Sequence, residues 1–307
     1  MINRNILIAG IGAIALSVAA YAQPRFVMGV DSGANTVSLF DPTTGALVNP
    51  NFIDLATALP GGDPFTPKHA MQVGDEIWVS DQVRNRIDRF DLSGTYLSTI
   101  NESAGGNGLS NIRGMGMVDG RVWLTQNGTA NGAPGQAVII YNTDGTFHGQ
   151  FNTQDASPFH VIEYNNEVLI SHSSAADIQR YDSSGNPLGA FHVGPIDFVQ
   201  QMVALSNGNV MAAGSFGASG LYEYDSSGAQ VGFIGGLGLV RGVYELDNGN
   251  IMYATSAGAF VYDINTGTST LSLAGNMQYL DLLIIPSPGA AAALAMAGLL
   301  GVRRRRS

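Results

Sequence analysis

The chain has 307 residues, of which 45% are hydrophobic and 12% are charged, and its formal net charge is −10. Five of its 14 basic residues, Arg4 and Arg303 to Arg306, lie near the ends, so the rest of the chain holds nine basic against 24 acidic residues. This balance argues against nucleic acid as a partner, because a phosphate backbone needs a basic surface. The absence of cysteine excludes disulfides, thiolate metal sites and cysteine nucleophiles.

Residues 1–22 have the organisation of a secretory signal peptide. Arg4 supplies the positive start, residues 6–20 form an apolar segment, and Ala20-Tyr21-Ala22 is an A-x-A cleavage site. We expect a signal helix here and a mature chain that begins at Gln23. The alternative is a retained membrane anchor, for which the apolar segment is short.

One signature, an aromatic residue followed by an acid or Asn and a glycine turn, occurs six times along the chain. The acid or Asn falls at positions 41, 91, 142, 182, 225 and 263, so the intervals are 50, 51, 40, 43 and 38 residues. Each repeat divides into four short β-runs bounded by turn residues. A period of about 40–50 residues with this chemistry is typical of propeller blades.

The sequence therefore predicts an all-β fold, a six-bladed β-propeller of four-stranded blades over residues 23–286. The runs 26–31, 36–40 and 46–48 match the second, third and fourth strands of a blade, and the missing first strand is found at 277–284. We expect one blade to be built from both ends of the chain, which closes the ring and leaves no free sheet edge.

Residues 287–307 form a separate tail after the propeller. Pro286-Ser287-Pro288 is followed by an apolar, small-residue segment, which we expect to form a short hydrophobic helix, and then by Arg303, Arg304, Arg305 and Arg306. These features resemble the PEP-CTERM sorting signal, although Ser287 stands where that family usually has Glu. The resemblance implies a transient inner-membrane anchor that an exosortase removes during delivery to the cell surface or extracellular matrix of a Gram-negative bacterium. The alternative is an ordinary C-terminal anchor.

The repeat with the best-preserved motif, residues 74–97, contains the strings Gly-Asp-Glu-Ile-Trp-Val-Ser-Asp, Asn-Arg-Ile and Gly-Thr-Tyr-Leu. This repeat and its degenerate copies resemble NHL-like and streptogramin-lyase-like six-bladed propellers. The resemblance covers about 260 residues and implies a fold more firmly than an activity.

Alignment of the six first strands predicts one ring of polar side chains at the mouth of the central channel. Its members are His69, Arg113, His160, Gln201, Arg241 and Gln278. The second strands end beside this ring, with Asp81 and His172 among their last residues.

Three interpretations of the ring remain open. It could be a small-ligand or anion site, in which Arg113 and Arg241 act as paired donors. It could instead hold a divalent metal, since streptogramin-type lyases use a metal and a histidine base at this face; the candidate ligands are His69, Asp81, His160 and His172. Finally, these polar residues could simply satisfy strand ends and bind ordered water.

The favoured function is an exported, non-catalytic scaffold that binds a surface polysaccharide or protein, with an exosortase-like protease as the partner of its tail. The alternative is a metal-dependent lyase or hydrolase with its site at the channel mouth, for which the sequence identifies no catalytic residue.

Overall fold

A computed structural model describes residues 23–59, 66–174, 177–194 and 196–286. The predicted signal helix (residues 1–22) and the sorting tail (287–307) lie outside the described residues. Residues Arg25–Ile284 form one compact unit. Within the described ranges, no helix is long and apolar enough to cross a membrane.

The unit consists of six four-stranded antiparallel sheets, which confirms the predicted six-bladed propeller. The strands of the first three sheets are β1 (Arg25–Asp31), β2 (Thr36–Phe40), β3 (Leu47–Asp54), β4 (Pro67–Val73), β5 (Glu76–Asp81), β6 (Arg86–Asp91), β7 (Tyr96–Ile100), β8 (Ile112–Val118), β9 (Arg121–Gln126), β10 (Ala137–Tyr141) and β11 (Phe147–Asn152). Those of the remaining sheets are β12 (Pro158–Tyr164), β13 (Glu167–His172), β14 (Asp177–Tyr181), β15 (Pro187–Val193), β16 (Asp197–Ala204), β17 (Val210–Phe216), β18 (Gly220–Tyr224), β19 (Gln230–Gly235), β20 (Val240–Glu245), β21 (Ile251–Thr255), β22 (Gly258–Asp263), β23 (Thr268–Ala274) and β24 (Met277–Ile284).

The ring closes as the sequence predicts. The first blade has the strand order β24-β1-β2-β3, so its innermost strand comes from the C-terminal part of the propeller. Strand β24 pairs antiparallel with β1 from Arg25 opposite Ile284 to Asp31 opposite Met277. The predicted fourth strand of this blade is longer than expected, and a single helical turn, α1 (Leu55–Ala58), follows it with Asp54 as its N-cap.

The repeated signature is a turn in which the acid caps its own loop. In the blade that contains β6, the Asp91 carboxylate accepts hydrogen bonds from the backbone N–H groups of Ser93 and Thr95 at 2.9 Å. Gly94 follows with φ = 86°, a value that favours glycine. Asp182 and Asp225 make the same contacts in their own repeats. The signature is therefore the joint between the third and fourth strands of a blade.

Neighbouring blades pack through continuous apolar faces. Trp78 and Trp123 are among the largest fully buried side chains, and Trp78 lies in the hydrophobic cluster between the second and third blades. Buried hydroxyl groups add a second link between blades. Ser80, Thr125 and Ser171 each donate to a backbone carbonyl of the next blade's innermost strand, at 2.6–2.9 Å. Each such hydrogen bond contributes on the order of 1 kcal/mol.

Candidate functional site on the propeller axis

The innermost strands β4, β8, β12, β16, β20 and β24 contact one another around the axis. The six residues of the predicted ring occupy two adjacent positions of these strands rather than one. The hydroxyl contacts between blades show this register. Ser80 and Ser171 donate to the backbone carbonyls of Arg113 and Gln200 in the next blade. Within their own blades, the same two serines pair with His69 and His160. The prediction of one ring is therefore wrong.

The physical reason is a set of β-bulges. The pairing of each innermost strand with its neighbour shifts near this position, for example between Pro67 and His69 and between Pro158 and His160. A bulge breaks the alternation of side chains, so alternating hydrophobicity cannot tell the two adjacent positions of these strands apart. We name the two positions the cationic row and the plug row. The cationic row is Lys68, Arg113, Phe159, Gln200, Arg241 and Gln278. The plug row is His69, Gly114, His160, Gln201, Gly242 and Tyr279.

The cationic row brings three positively charged side chains to one end of the axis. The Lys68 ammonium donates to the side-chain oxygens of Gln200 at 2.9 Å and Gln278 at 2.7 Å. Arg113 is buried and donates to Ser157 Oγ at 2.7 Å and to the Pro158 carbonyl at 3.0 Å. Its guanidinium lies 3.9 Å from the centre of the Phe159 ring. Arg241 is half-buried and donates to Asn276 Oδ1 at 2.5 Å.

All of these partners are neutral. None of the ion pairs in the described part of the chain includes Lys68, Arg113 or Arg241. Burial, reinforced by repulsion from Arg241 and Arg113, holds the pKa of Lys68 well below its usual value. Burial also lowers the pKa of Arg113 to about 10. Charges removed from water are costly unless opposite charges compensate them, so this end of the axis favours an anion.

The plug row fills the axis with side chains that bind the backbone. His69 Nδ1 accepts from the backbone N–H of Met115 at 3.0 Å, and His160 Nδ1 accepts from that of Met202 at 3.3 Å. Gln201 does the same one blade further on, because its Oε1 accepts from the N–H of Val243 at 3.0 Å. These three predicted ligand-binding residues are therefore engaged in joining adjacent blades.

Three rings pack against each other at the centre of this row. His69, His160 and Tyr279 have ring-centre separations of 5.3–5.4 Å, and all three are buried. Gly114 makes this packing possible, because a Cβ there would lie 2.6 Å from a His160 ring carbon and 2.9 Å from a Tyr279 ring carbon. Burial and the neighbouring His69 hold the pKa of His160 well below its usual value, so its imidazole is neutral. The row thus separates the two ends of the axis.

The four predicted metal ligands do not come together. Among the described residues, no group of three His, Asp or Glu side chains could hold a metal ion. Asp81 caps its own turn, since its Oδ1 accepts from the backbone N–H groups of Thr66, Val83 and Arg84 at 2.8–3.1 Å. His172 lies 3.3 Å from the Asp177 carboxylate instead of pointing at the axis pair His69 and His160. The histidine set thus lacks the shared centre that metal-assisted lyase chemistry needs.

Beyond the plug row the axis widens into a cavity of about 370 Å³. Its walls come from the residues that follow the plug row on the same strands, among them Met71, Met115, Met202 and Leu280. Asp281 lies at this end, with its Oδ2 3.2 Å from His69 Nε2. The two ends of the axis therefore carry opposite charge.

Sequence reasoning missed Lys68, Gln200, Phe159, Tyr279 and Asp281. One signal was available for Lys68, because it is the only lysine of the chain and stands in a strand whose neighbours are buried. The other four could be recognised only from the register, which the bulges conceal.

Searches against known protein families and against curated proteins find no match. Solved structures match over most of the propeller. A protein of unknown function from Bacteroides caccae has a TM-score of 0.59 at 14% identity, with 85% of this chain and 99% of that chain covered. The nidogen/laminin complex gives a TM-score of 0.67 at 11% identity, with 84% and 98% covered. A catalytically inactive virginiamycin B lyase from Staphylococcus aureus with quinupristin gives 0.56 at 12% identity, with 82% and 85% covered.

These similarities define the class of the protein. It is a six-bladed β-propeller with structural neighbours of the streptogramin-lyase and NHL type. At these identities the similarity concerns the fold, and the function has to be argued from the site.

Proposed function

We propose that this protein is a non-catalytic binding module whose ligand presents an anionic group to the cationic row. The observation that carries the proposal is the presence of three basic side chains, Lys68, Arg113 and Arg241, that have only neutral partners in the described structure. A bound anion would supply the missing charge.

Hydrogen-bonding capacity remains for such an anion. An ammonium has three donors, and the Lys68 ammonium uses two of them on Gln200 and Gln278. Arg113 Nε is buried without a partner, while its Nη1 is held by Ser157 and Pro158. Stacking on Phe159 fixes the plane of this guanidinium and leaves its edge as the donor surface. A planar carboxylate suits this geometry, because guanidinium and carboxylate form parallel hydrogen bonds.

We further propose that the carboxylate belongs to a surface polysaccharide or protein and that the propeller is exported to meet it. The leader expected at residues 1–22 and the exosortase-type tail expected at 287–307 support export through a transient inner-membrane intermediate to the surface or matrix of a Gram-negative bacterium. The propeller unit spans Arg25–Ile284, so removal of both segments would leave every strand in place. The chain matched in the nidogen/laminin complex is a structural neighbour that was solved together with a protein partner.

Binding of an anion is testable by thermal unfolding and calorimetric titration with D-glucuronate. Its methyl ester, which has the same ring without the charge, serves as the matched ligand. We expect glucuronate alone to raise the unfolding temperature, since a ligand that binds only the folded state stabilises by about 2.7 kcal/mol at 100 times its Kd. Arg113→Gln and Arg241→Gln should each weaken binding at least tenfold, whereas Arg121→Gln, at a half-exposed arginine away from the axis, should leave it unchanged. Equal effects of acid and ester would refute the proposal.

Export is tested separately by mass spectrometry of the mature protein in an exosortase-bearing host. We expect the N-terminus at Gln23 and loss of the arginine cluster. An intact, membrane-bound chain would contradict the sorting proposal and leave the binding proposal standing.

A further inference from the structure

The cavity on the far side of the plug row has the properties of a second ligand site. Its volume of about 370 Å³ lies within the range of about 300–1,000 Å³ that is usual for small-molecule pockets. The walls are mainly apolar, and Met71, Met115 and Met202 give them flexible thioether side chains. Methionine adapts to ligands of irregular shape, because its side chain is unbranched and polarisable.

The charges that line the cavity are of one sign. Glu163 and Asp281 are its charged residues, and no lysine or arginine of the described chain lines it. His160 also lines it, and its imidazole is neutral because burial holds its pKa well below the usual value. The cavity thus carries negative side chains, whereas the cationic row carries basic ones.

One hydrogen bond and one close approach position the Asp281 carboxylate. Its Oδ1 accepts from the backbone N–H of Leu282 at 2.7 Å, and its Oδ2 lies 3.2 Å from His69 Nε2. His69 Nδ1 accepts from the Met115 N–H, which places a ring N–H on Nε2; this nitrogen lies near the Asp281 carboxylate without forming a hydrogen bond to it. No lysine or arginine forms an ion pair with Asp281 in the part of the chain that the structure describes. Its side chain is 32% exposed, so a ligand can reach it.

We propose that this cavity binds a small organic cation, with the ammonium group at Asp281 and the apolar body against Met71, Met115 and Met202. The site goes beyond the proposed anion-binding function and does not depend on it, because the plug row separates the two. The apolar body of such a ligand would pack against the methionine side chains of the walls, and its positive charge would pair with the Asp281 carboxylate that faces them. A primary ammonium can also donate to carboxylate oxygen, which a quaternary one cannot.

The test is a calorimetric titration of the protein with three ligands that share one body and differ in charge: 2-phenylethylammonium, 2-phenylethanol and phenylacetate. We expect the ammonium to bind at least tenfold more tightly than the alcohol and phenylacetate not to bind in this cavity, since a hydrogen bond to a charged group is worth that much. Asp281→Asn keeps the shape of the side chain and an oxygen for His69. It should weaken binding of the ammonium about 10- to 100-fold and leave binding of the alcohol unchanged.

The controls separate this site from the other end of the axis. Arg113→Gln should leave ammonium binding unchanged, and Asp281→Asn should leave glucuronate binding unchanged. Equal affinity of the unmodified protein for ammonium and alcohol would overturn the proposal without reference to any variant. So would an Asp281→Asn protein that unfolds at the same temperature as the parent and binds the ammonium equally well.

Discussion

Replacement of His160 gives the most specific prediction. Two interpretations of this residue differ in how its contribution to stability should depend on pH. In the structure it is a buried, neutral member of the plug row that joins two blades through its Nδ1. A catalytic or metal-binding histidine at a solvent-filled mouth would instead titrate in the usual range. The change that separates the two is His160→Asn, because the Asn carbonyl can still accept from the Met202 N–H.

The magnitude follows from linkage between protonation and folding. The folded-state pKa of His160 lies well below its ordinary value of 6.5, so the unfolded chain binds the proton more readily as the pH falls. The stability that this neutral histidine contributes is present above pH 6.5 and is lost as the pH falls toward its folded-state pKa. Between pH 7 and pH 5 the loss amounts to as much as about 2 kcal/mol, if the folded-state pKa lies below that window.

The assay is urea unfolding of the parent protein and of His160→Asn at pH 7 and pH 5. At pH 7 we expect the variant to be about 1–3 kcal/mol less stable, since it loses the ring contacts with His69 and Tyr279. At pH 5 the difference should shrink by up to about 2 kcal/mol, because only the parent has this proton to exclude. His148→Asn, at an exposed histidine on β11, should show no difference at either pH. A gap for His160→Asn that is the same at both pH values would refute the assignment.

Three further predictions concern the scaffold and are measured by thermal or urea unfolding. Gly228→Ala should destabilise the protein far more than Gly208→Ala. Both glycines have positive φ, but only at Gly228 would an added Cβ collide with the neighbouring blade, where it would meet the Phe191 carbonyl oxygen. Equal losses would contradict this packing. Asp81→Ala should lower the free energy of unfolding by about 1–3 kcal/mol. Asp81→Asn should lower it by less than about 1 kcal/mol, because the amide oxygen can still cap the turn. A large effect of Asp81→Asn would instead indicate that the charge of Asp81 is needed. Ser171→Ala should cost about 1–3 kcal/mol because its buried hydroxyl links two blades, and an unchanged midpoint would show that the link is unimportant.

The architecture was predictable from the sequence because it depends on turns that are formed by residues close together in the chain. Five of the six blades repeat a turn in which an acid, such as Asp91, caps its own loop, and in the third blade Asn142 takes the place of that acid. In all six turns a glycine, such as Gly94, takes positive φ. Turns of this kind need no knowledge of distant residues. The closure of the ring by β24 was also visible, because one first strand was missing at the start of the propeller and present at its end.

The site was less predictable because it depends on register and on contacts between distant residues. Arg113, Arg241 and Gln278 occupy one position of the innermost strands, whereas His69, His160 and Gln201 occupy the next position along. A bulge in each innermost strand interrupts the alternation of side chains there, so sequence periodicity cannot tell the two positions apart. The partners of the histidines are backbone amides of the next blade, which have no signature in the sequence. A polar residue that faces the axis can thus be either a ligand donor or a structural joint.

The anion site at the cationic row is tested most directly by a crystal structure of the protein soaked in bromide, measured at the bromine absorption edge. We expect an anomalous peak within hydrogen-bonding distance of Lys68 Nζ and of at least one of the Arg113 and Arg241 guanidinium groups. Glucuronate in the same crystals should remove this peak. Bromide peaks elsewhere on the surface, with none at the cationic row, would contradict the claim that three uncompensated cations make this end of the axis an anion site.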